Sequence, residues 1–164
     1  VTAADLPAAK EAHHAPAQPD DAVMYAAVAA RRLQWDNMLW QVPTLSLTGQ
    51  AFLFTIALGA DSSRLARIVA STLSIVMTIL SMHLMSRHRQ AEHTDAHWIE
   101  DYELAHFGRA WHGHTWAEHR NQEQGSGLLA HFKGFQVWMA GLSVFGLAAV
   151  AVLIITAVKP SILK

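Results

Sequence analysis

Residues 39–85 hold two long apolar runs separated only by the polar link Gly59-Ala60-Asp61-Ser62-Ser63-Arg64. Each run has the length needed to cross a bilayer, about 20 apolar residues as a helix. A link this short returns the chain at once, so the two runs are expected to form a tight antiparallel helical hairpin. The rest of the chain is arranged around that hairpin.

Charged residues make up only 15% of the 164-residue chain, against about 25% in an average soluble domain. The shortage is local, because three long runs carry almost no charge. A formal net charge of −1 gives no global attraction to nucleic acid. Cysteine is absent, which excludes disulfides, thiolate zinc sites and iron–sulfur clusters.

Residues 1–21 carry Pro7, Pro16, Pro19 and many alanines. They lack the basic start and apolar core of a secretory signal, and their composition suggests a disordered tail. Asp20 and Asp21 then suit the start of an interfacial amphipathic helix over 22–37, rich in alanine. Arg31 and Arg32 precede Trp35 and Trp40, the order in which a chain enters a membrane interface.

The hairpin itself is assigned to 38–86. In its first span, about 39–58, Pro43 falls in the opening turn, where a missing N–H costs little. Thr44, Thr48, Ala51 and Thr55 recur at helical spacing and form one face. Gln50 lies near mid-depth, where a lipid-facing amide would be costly, so it is expected to face another helix. The second span, about 65–85, carries Ser71, Ser74, Thr78 and Ser81 on one face. Small residues and hydroxyls permit close helix contact. The two stripes either pack on each other or line a polar path.

A polar, histidine- and tryptophan-rich cytoplasmic segment is assigned to 87–133. It should be mostly helical, continue from the second span and break near Gly108 and Gly113, with Gln124-Gly125-Ser126-Gly127 as a loop. On one continuous wheel Trp98, Tyr102 and Trp116 oppose Leu104, Phe107 and Trp111. That pattern implies two shorter helices or one helix packed on both faces. A third span and short tail occupy 134–164, with Gly134, Gly141 and Ala148 spaced as a close-packing seam. The expected fold class is therefore all-α: a polytopic membrane protein of three transmembrane helices.

Arg31, Arg32, Arg87, Arg89 and Lys133 lie on one side of this topology, and Arg64, Arg67, Lys159 and Lys164 on the other. Five against four favours a cytoplasmic N-terminus, in a bacterial inner membrane.

Histidine carries the remaining chemistry: of the 11 in the chain, His83, His88, His93, His97, His106, His112, His114 and His119 crowd together. His93, His97 and Glu100 share one helical face, which makes a half-site for a transition metal. His112, His114, Glu118 and His119 could complete it. His83, within a span, is either functional or close enough to the interface to reach it. No phosphate loop, nucleophile elbow or HExxH motif is present.

The histidine cluster at the end of membrane helices resembles the histidine boxes of integral-membrane fatty-acid desaturases and hydroxylases, and that resemblance implies two irons. The adjacent pair of an HxxHH box is missing from residues 83–119. The basic, tryptophan-bearing helix, the hairpin and the polar helix after it, residues 23–122, resemble the SLATT type of bacterial two-span domain. That resemblance implies a membrane-perturbing defence effector; the third span departs from it.

Three functions follow as expectations. The first is a small non-catalytic integral membrane protein, working in the bilayer as a homo-oligomer or as an accessory subunit of a larger complex, without cofactor. The second is a pore-forming or membrane-disrupting effector. The third is a metal-dependent membrane enzyme using His93, His97, Glu100, His112, His114 and His119.

Overall fold

The computed structural model of the chain describes residues 19–113, 118 and 132–158. Among these residues there are three helices: α1 (Pro19–Leu58), α2 (Arg64–Phe107) and α3 (Gly134–Val158). α1 and α2 lie antiparallel along their whole length. At a rise of 1.5 Å per residue, the 40-residue α1 is about 60 Å long, twice the thickness of a bilayer's hydrocarbon core.

Pro19 opens α1, where its missing N–H is no loss, and Asp20 and Asp21 favour the positive end of the helix dipole. The helix over 22–37 and the run after it are not separate elements. Both belong to the single helix α1, with Pro43 inside it and buried. The reason for the continuity lies in α2, which supplies partners to α1 above and below Pro43.

The link between α1 and α2 is fastened by its own side chains. Ser63 caps α2, its hydroxyl accepting the Ala66 N–H at 3.1 Å. The buried Arg67 guanidinium donates to the Gly59 carbonyl at 2.9 Å. Arg64 donates to the Ala157 carbonyl at 2.9 Å, so a cation sits on the negative end of α3. α2 stops where the sequence indicates. Gly108 takes the left-handed conformation at φ 72° and returns its N–H to the Leu104 carbonyl.

α3 packs against the first half of α2. One core joins Leu39, Met85 and Leu142, with Phe135, Trp138 and Met139 around it. A second joins Ala57, Ala70 and Val152 nearer the link. Of the expected Gly134–Gly141–Ala148 seam, Gly134 lies close against the Trp40 ring, but Gly141 does not make a close contact. A Cβ on Gly141 would meet nothing within 4 Å. The buried positions are Leu142, Ala149, Val152 and Thr156, and Gly146 is the close approach to α2, facing the Thr78 methyl.

Two helices, α2 and α3, are long and apolar enough to cross a membrane. Only 28% of the apolar window of α2 and 22% of that of α3 is buried, so neither is covered as the core helix of a soluble domain would be. The apolar half of α1 does not reach the same apolarity, because Gln41, Pro43, Thr44, Ser46, Thr48, Gln50 and Thr55 interrupt it.

Candidate functional site

The interior of the hairpin changes character halfway along. From residue 39 to the link, the buried groups between α1 and α2 include small hydroxyls and one amide. Gln50 is fully buried and donates to the Ser74 carbonyl at 3.0 Å and to the Thr78 hydroxyl at 2.8 Å. The Ser74 hydroxyl donates back to the Gln50 side-chain oxygen. One turn away, the Ser81 hydroxyl donates to Ser46 at 3.1 Å. Gln50 thus has both its ends satisfied in an otherwise apolar region.

The sequence-derived stripes divide at this contact. Gln50, Ser74 and Thr78 are brought together, Ser81 joins Ser46, and Ser71 is buried with its hydroxyl unpartnered. Thr44, Thr48 and Thr55 are not brought to it. All three are exposed, and their hydroxyls donate to the carbonyls of Trp40, Thr44 and Ala51 four residues back. The packed face of α1 runs instead through Leu39, Pro43, Ser46, Gln50 and Ala57.

Beyond Met85 the same interface adds ion pairs to the buried Val28, Ala96 and Ile99. Arg31 forms a two-pronged ion pair with Asp95 at 2.7 and 2.8 Å. Glu92 accepts from Arg32 at 3.2 Å and from Arg89 at 2.7 Å. Asp95 and Glu92 are buried, and the opposed charges are what allow that burial. The Trp35 ring lies 5.6 Å from His88.

The outer end of the interface is closed by Glu103, which is 1% exposed. Its carboxylate accepts the Tyr25 hydroxyl at 2.6 Å, His112 Nδ1 at 2.6 Å, and the backbone N–H groups of Trp111 and His112 at 2.6 and 3.0 Å. Burial works against its charge, but the bonds from Tyr25, His112 and the two amides outweigh it and hold the carboxyl below its ordinary value. Burial and the Glu103 charge push Tyr25 up to about 12. Tyr102 stacks between Trp98 and His106 and lies 5.1 Å from Tyr25.

Glu103 therefore clasps the chain after α2 back onto the helices. Gly113, at φ 80°, completes the turn; a Cβ there would collide with the Glu100 side chain. Leu104, Phe107 and Trp111 are exposed, and Arg109 covers the Trp111 ring at 3.4 Å.

Among the described residues, His93, His97, Glu100 and His112 are not assembled as a metal site. His93 and His97 are both exposed, with ring centroids 6.2 Å apart. Glu100 packs on Gly113, and His112 is bonded to Glu103. No three of the described His, Asp and Glu residues are grouped to hold a metal ion. His114 and His119, and the loop over 124–127, lie outside the described residues, as do the N-terminal tail before Pro19 and the Lys159 and Lys164 ends. Burial and then Arg89 lower the pKa of His93, with His97 and Lys133 acting the same way.

Tyr25, Glu92, Asp95 and Glu103 anchor three separate polar clusters in this half, and residue spacing alone does not single them out. One signal was available. Counted outward from the link, Arg32 and Arg31 on α1 come level with Glu92 and Asp95 on α2.

Comparison with known proteins identifies no relative: no family model, no curated protein and no solved structure matches this chain.

Proposed function

We propose that this chain is a non-catalytic integral membrane subunit that carries a rigid two-helix stalk for a larger membrane assembly. One observation carries the reading: the surface of the hairpin reverses polarity near Met85. On the link side, Leu45, Phe52, Leu73, Val76, Ile79, Leu80, Val144, Leu147 and Ile154 are exposed while Gln50, Ser74 and Thr78 are buried. Apolar surface of that extent needs a cover, and hydrocarbon suits a bundle with its polar groups inside. On the other side, ion pairs join the buried Val28, Ala96 and Ile99 in holding the helices together, and the charged groups suit water.

In this reading the apolar halves of α1 and α2 span the bilayer together with α3, which makes three spans. α1 is the least apolar of the three, and its Gln50 is tolerated because α2 satisfies it. The halves beyond Met85 project about 30 Å into water. Arg31, Arg32, Arg87, Arg89 and Lys133 belong to that side, and their excess of five over the four of Arg64, Arg67, Lys159 and Lys164 favours a cytoplasmic stalk. A stalk held by ion pairs, with Leu104, Phe107 and Trp111 exposed near its end, suits docking to a partner subunit better than chemistry.

The test is alkaline extraction of membranes followed by purification in mild detergent and mass spectrometry. The chain is expected to stay with the membrane and to elute with itself or with another subunit. Release into the soluble fraction, or a lone monomer with no partner, would overturn the proposal.

A further inference from the structure

The buried polar face of α2 ends, toward the link, on a cation without a counter-charge. Arg67, Ser71, Ser74 and Thr78 recur at helical spacing, and none is more than 5% exposed. Ser74 and Thr78 are engaged by Gln50. Arg67 and Ser71 are not satisfied in the same way. Arg67 Nε and the Ser71 hydroxyl are both buried with no hydrogen-bond partner among the described residues. Arg67 Nη2 donates to the Gly59 and Ala60 carbonyls at 2.9 and 3.4 Å, and those acceptors are uncharged.

A guanidinium stays protonated inside a protein, so the charge of Arg67 is buried unbalanced. Among the described residues Arg67 joins no ion pair. Asp61 in the link is exposed and does not reach it. The first turn of α2 holds no acid, and that turn is the positive end of the helix dipole, which adds to the charge instead of offsetting it. An ion buried without a partner costs several kcal/mol.

The position of the two orphaned groups narrows what can supply the missing charge. Residues four apart share a helix face, and a helical side chain leans over the turn before its own, so Ser71 leans toward Arg67. Ala70 beside them belongs to one core with Ala57 of α1 and Val152 of α3. The pair therefore faces the interior of the three-helix bundle, an enclosed position that selects a small ligand. Water would satisfy the two hydrogen-bonding atoms and leave the charge in place.

We propose that Arg67 Nε and the Ser71 hydroxyl bind a halide ion, chloride, inside the link end of the bundle. Both groups donate to the ion, and its charge balances the guanidinium. The assignment does not depend on what covers the outside of the helices, because the site lies between them. Arg64 supplies the contrast. It is exposed, and its guanidinium rests on the Ala157 carbonyl at the negative end of α3.

The experiment is thermal unfolding of the purified full chain in neutral detergent, followed by helix content, in sodium chloride, bromide, sulfate or gluconate at one ionic strength. A ligand that binds only the folded state raises the melting temperature with its concentration. Chloride and bromide are expected to do so saturably, and sulfate and gluconate are not. Ser71→Ala removes one bond to the ion and should weaken chloride binding about tenfold. That hydroxyl has no protein partner to lose, so the variant should keep its fold. Arg67→Gln should abolish the halide response, while Arg64→Gln should change it by less than about twofold, as for an exposed charge. Broadening of the chloride NMR line by the chain, reversed by bromide, reads the same binding without unfolding and covers a variant that melts poorly. Equal melting in chloride and gluconate with no broadening would overturn the proposal and leave water as the partner. So would a halide response that survives Arg67→Gln, or one that Arg64→Gln removes to the same degree.

Discussion

Gln50 and Thr78 meet across the hairpin at 2.8 Å, amide to hydroxyl, and both are buried. The same amide nitrogen reaches the Ser74 carbonyl, so α1 is bonded to the backbone of α2 as well as to its side chains. Gln50→Leu keeps the volume and deletes these two bonds together with the one the Ser74 hydroxyl donates to the amide oxygen. In a membrane such bonds contribute about 1–2 kcal/mol at most, and that loss is expected in an unfolding titration monitored by helix content. Thr55→Val should cost less than about 0.5 kcal/mol, because Thr55 bonds only to its own helix.

The contrast between Gln50 and the threonines explains what was legible in the sequence. A threonine in a helix can satisfy its hydroxyl on the carbonyl four residues back. A periodic row such as Thr44, Thr48 and Thr55 is therefore compatible with any face. A glutamine amide in an apolar stretch has no such local solution, so Gln50 did mark the contact. The helix ends were legible for a similar local reason, since Gly108, Gly113 and the 59–64 link act on the backbone beside them. The ion pairs were not, because Arg31 and Asp95 are 64 residues apart and nothing near either one names the other. Among the described histidines, spacing was a poor guide to partners for a third reason. Spacing brings His93 and His97 onto one face, but the acid that engages His112 is the buried Glu103, which no histidine motif includes.

Glu103 also sets a pH dependence. Its folded value is below the ordinary one, so the folded state holds its proton less tightly than the unfolded chain. The stability it contributes is present above the ordinary carboxylate value and is lost as pH falls through the lowered folded value. Amide exchange at Trp111 and His112 should stay slow near neutrality and quicken in acid. In Glu103→Ala the Tyr25 hydroxyl and two amides lose their acceptor. A loss on the order of 3 kcal/mol is expected, with fast exchange of both amides at every pH.

Tyr25 reports the same clasp from the alkaline side. Raised to about 12, it retains its proton longer in the folded state than in the unfolded chain. Its contribution is complete below the ordinary tyrosine value of 10.0 and declines as pH rises toward 12. The chain has two tyrosines, so Tyr102→Phe leaves Tyr25 as the only phenol. Absorbance at the phenolate band should then show one transition displaced upward by about two pH units. Adding Glu103→Gln should return it toward the ordinary value.

The stalk should behave as a charge-registered pair of helices. Arg31→Asp or Asp95→Arg alone places like charges face to face and should lower the melting temperature. The double exchange, with Arg31→Asp and Asp95→Arg together, should recover most of it. Because the Arg31 side chain is 56% exposed, high salt should shrink the coupling. The uncharged hydrogen bonds of Gln50 should not respond to salt. Loss without recovery in the double exchange would mean that the pairing follows from the fold and does not guide it.

Gly146 and Gly141 test the packing of α3. A methyl group on Gly146 would lie 2.9 Å from the Thr78 methyl carbon, and a β-branched neighbour bonded to the Ser74 carbonyl has little freedom to turn away. Gly146→Ala should therefore push α3 off α2 and cost about 1–3 kcal/mol, as overpacking does. Gly141 is five residues earlier on the same helix and would gain its methyl in open space. Gly141→Ala should be neutral within about 0.5 kcal/mol, or slightly stabilising through helix propensity. Thr78→Ser removes the opposing methyl and keeps the hydroxyl for Gln50. If Gly146→Ala fails for the stated reason, adding Thr78→Ser should restore the stability, and a double variant as weak as Gly146→Ala alone would place the conflict elsewhere.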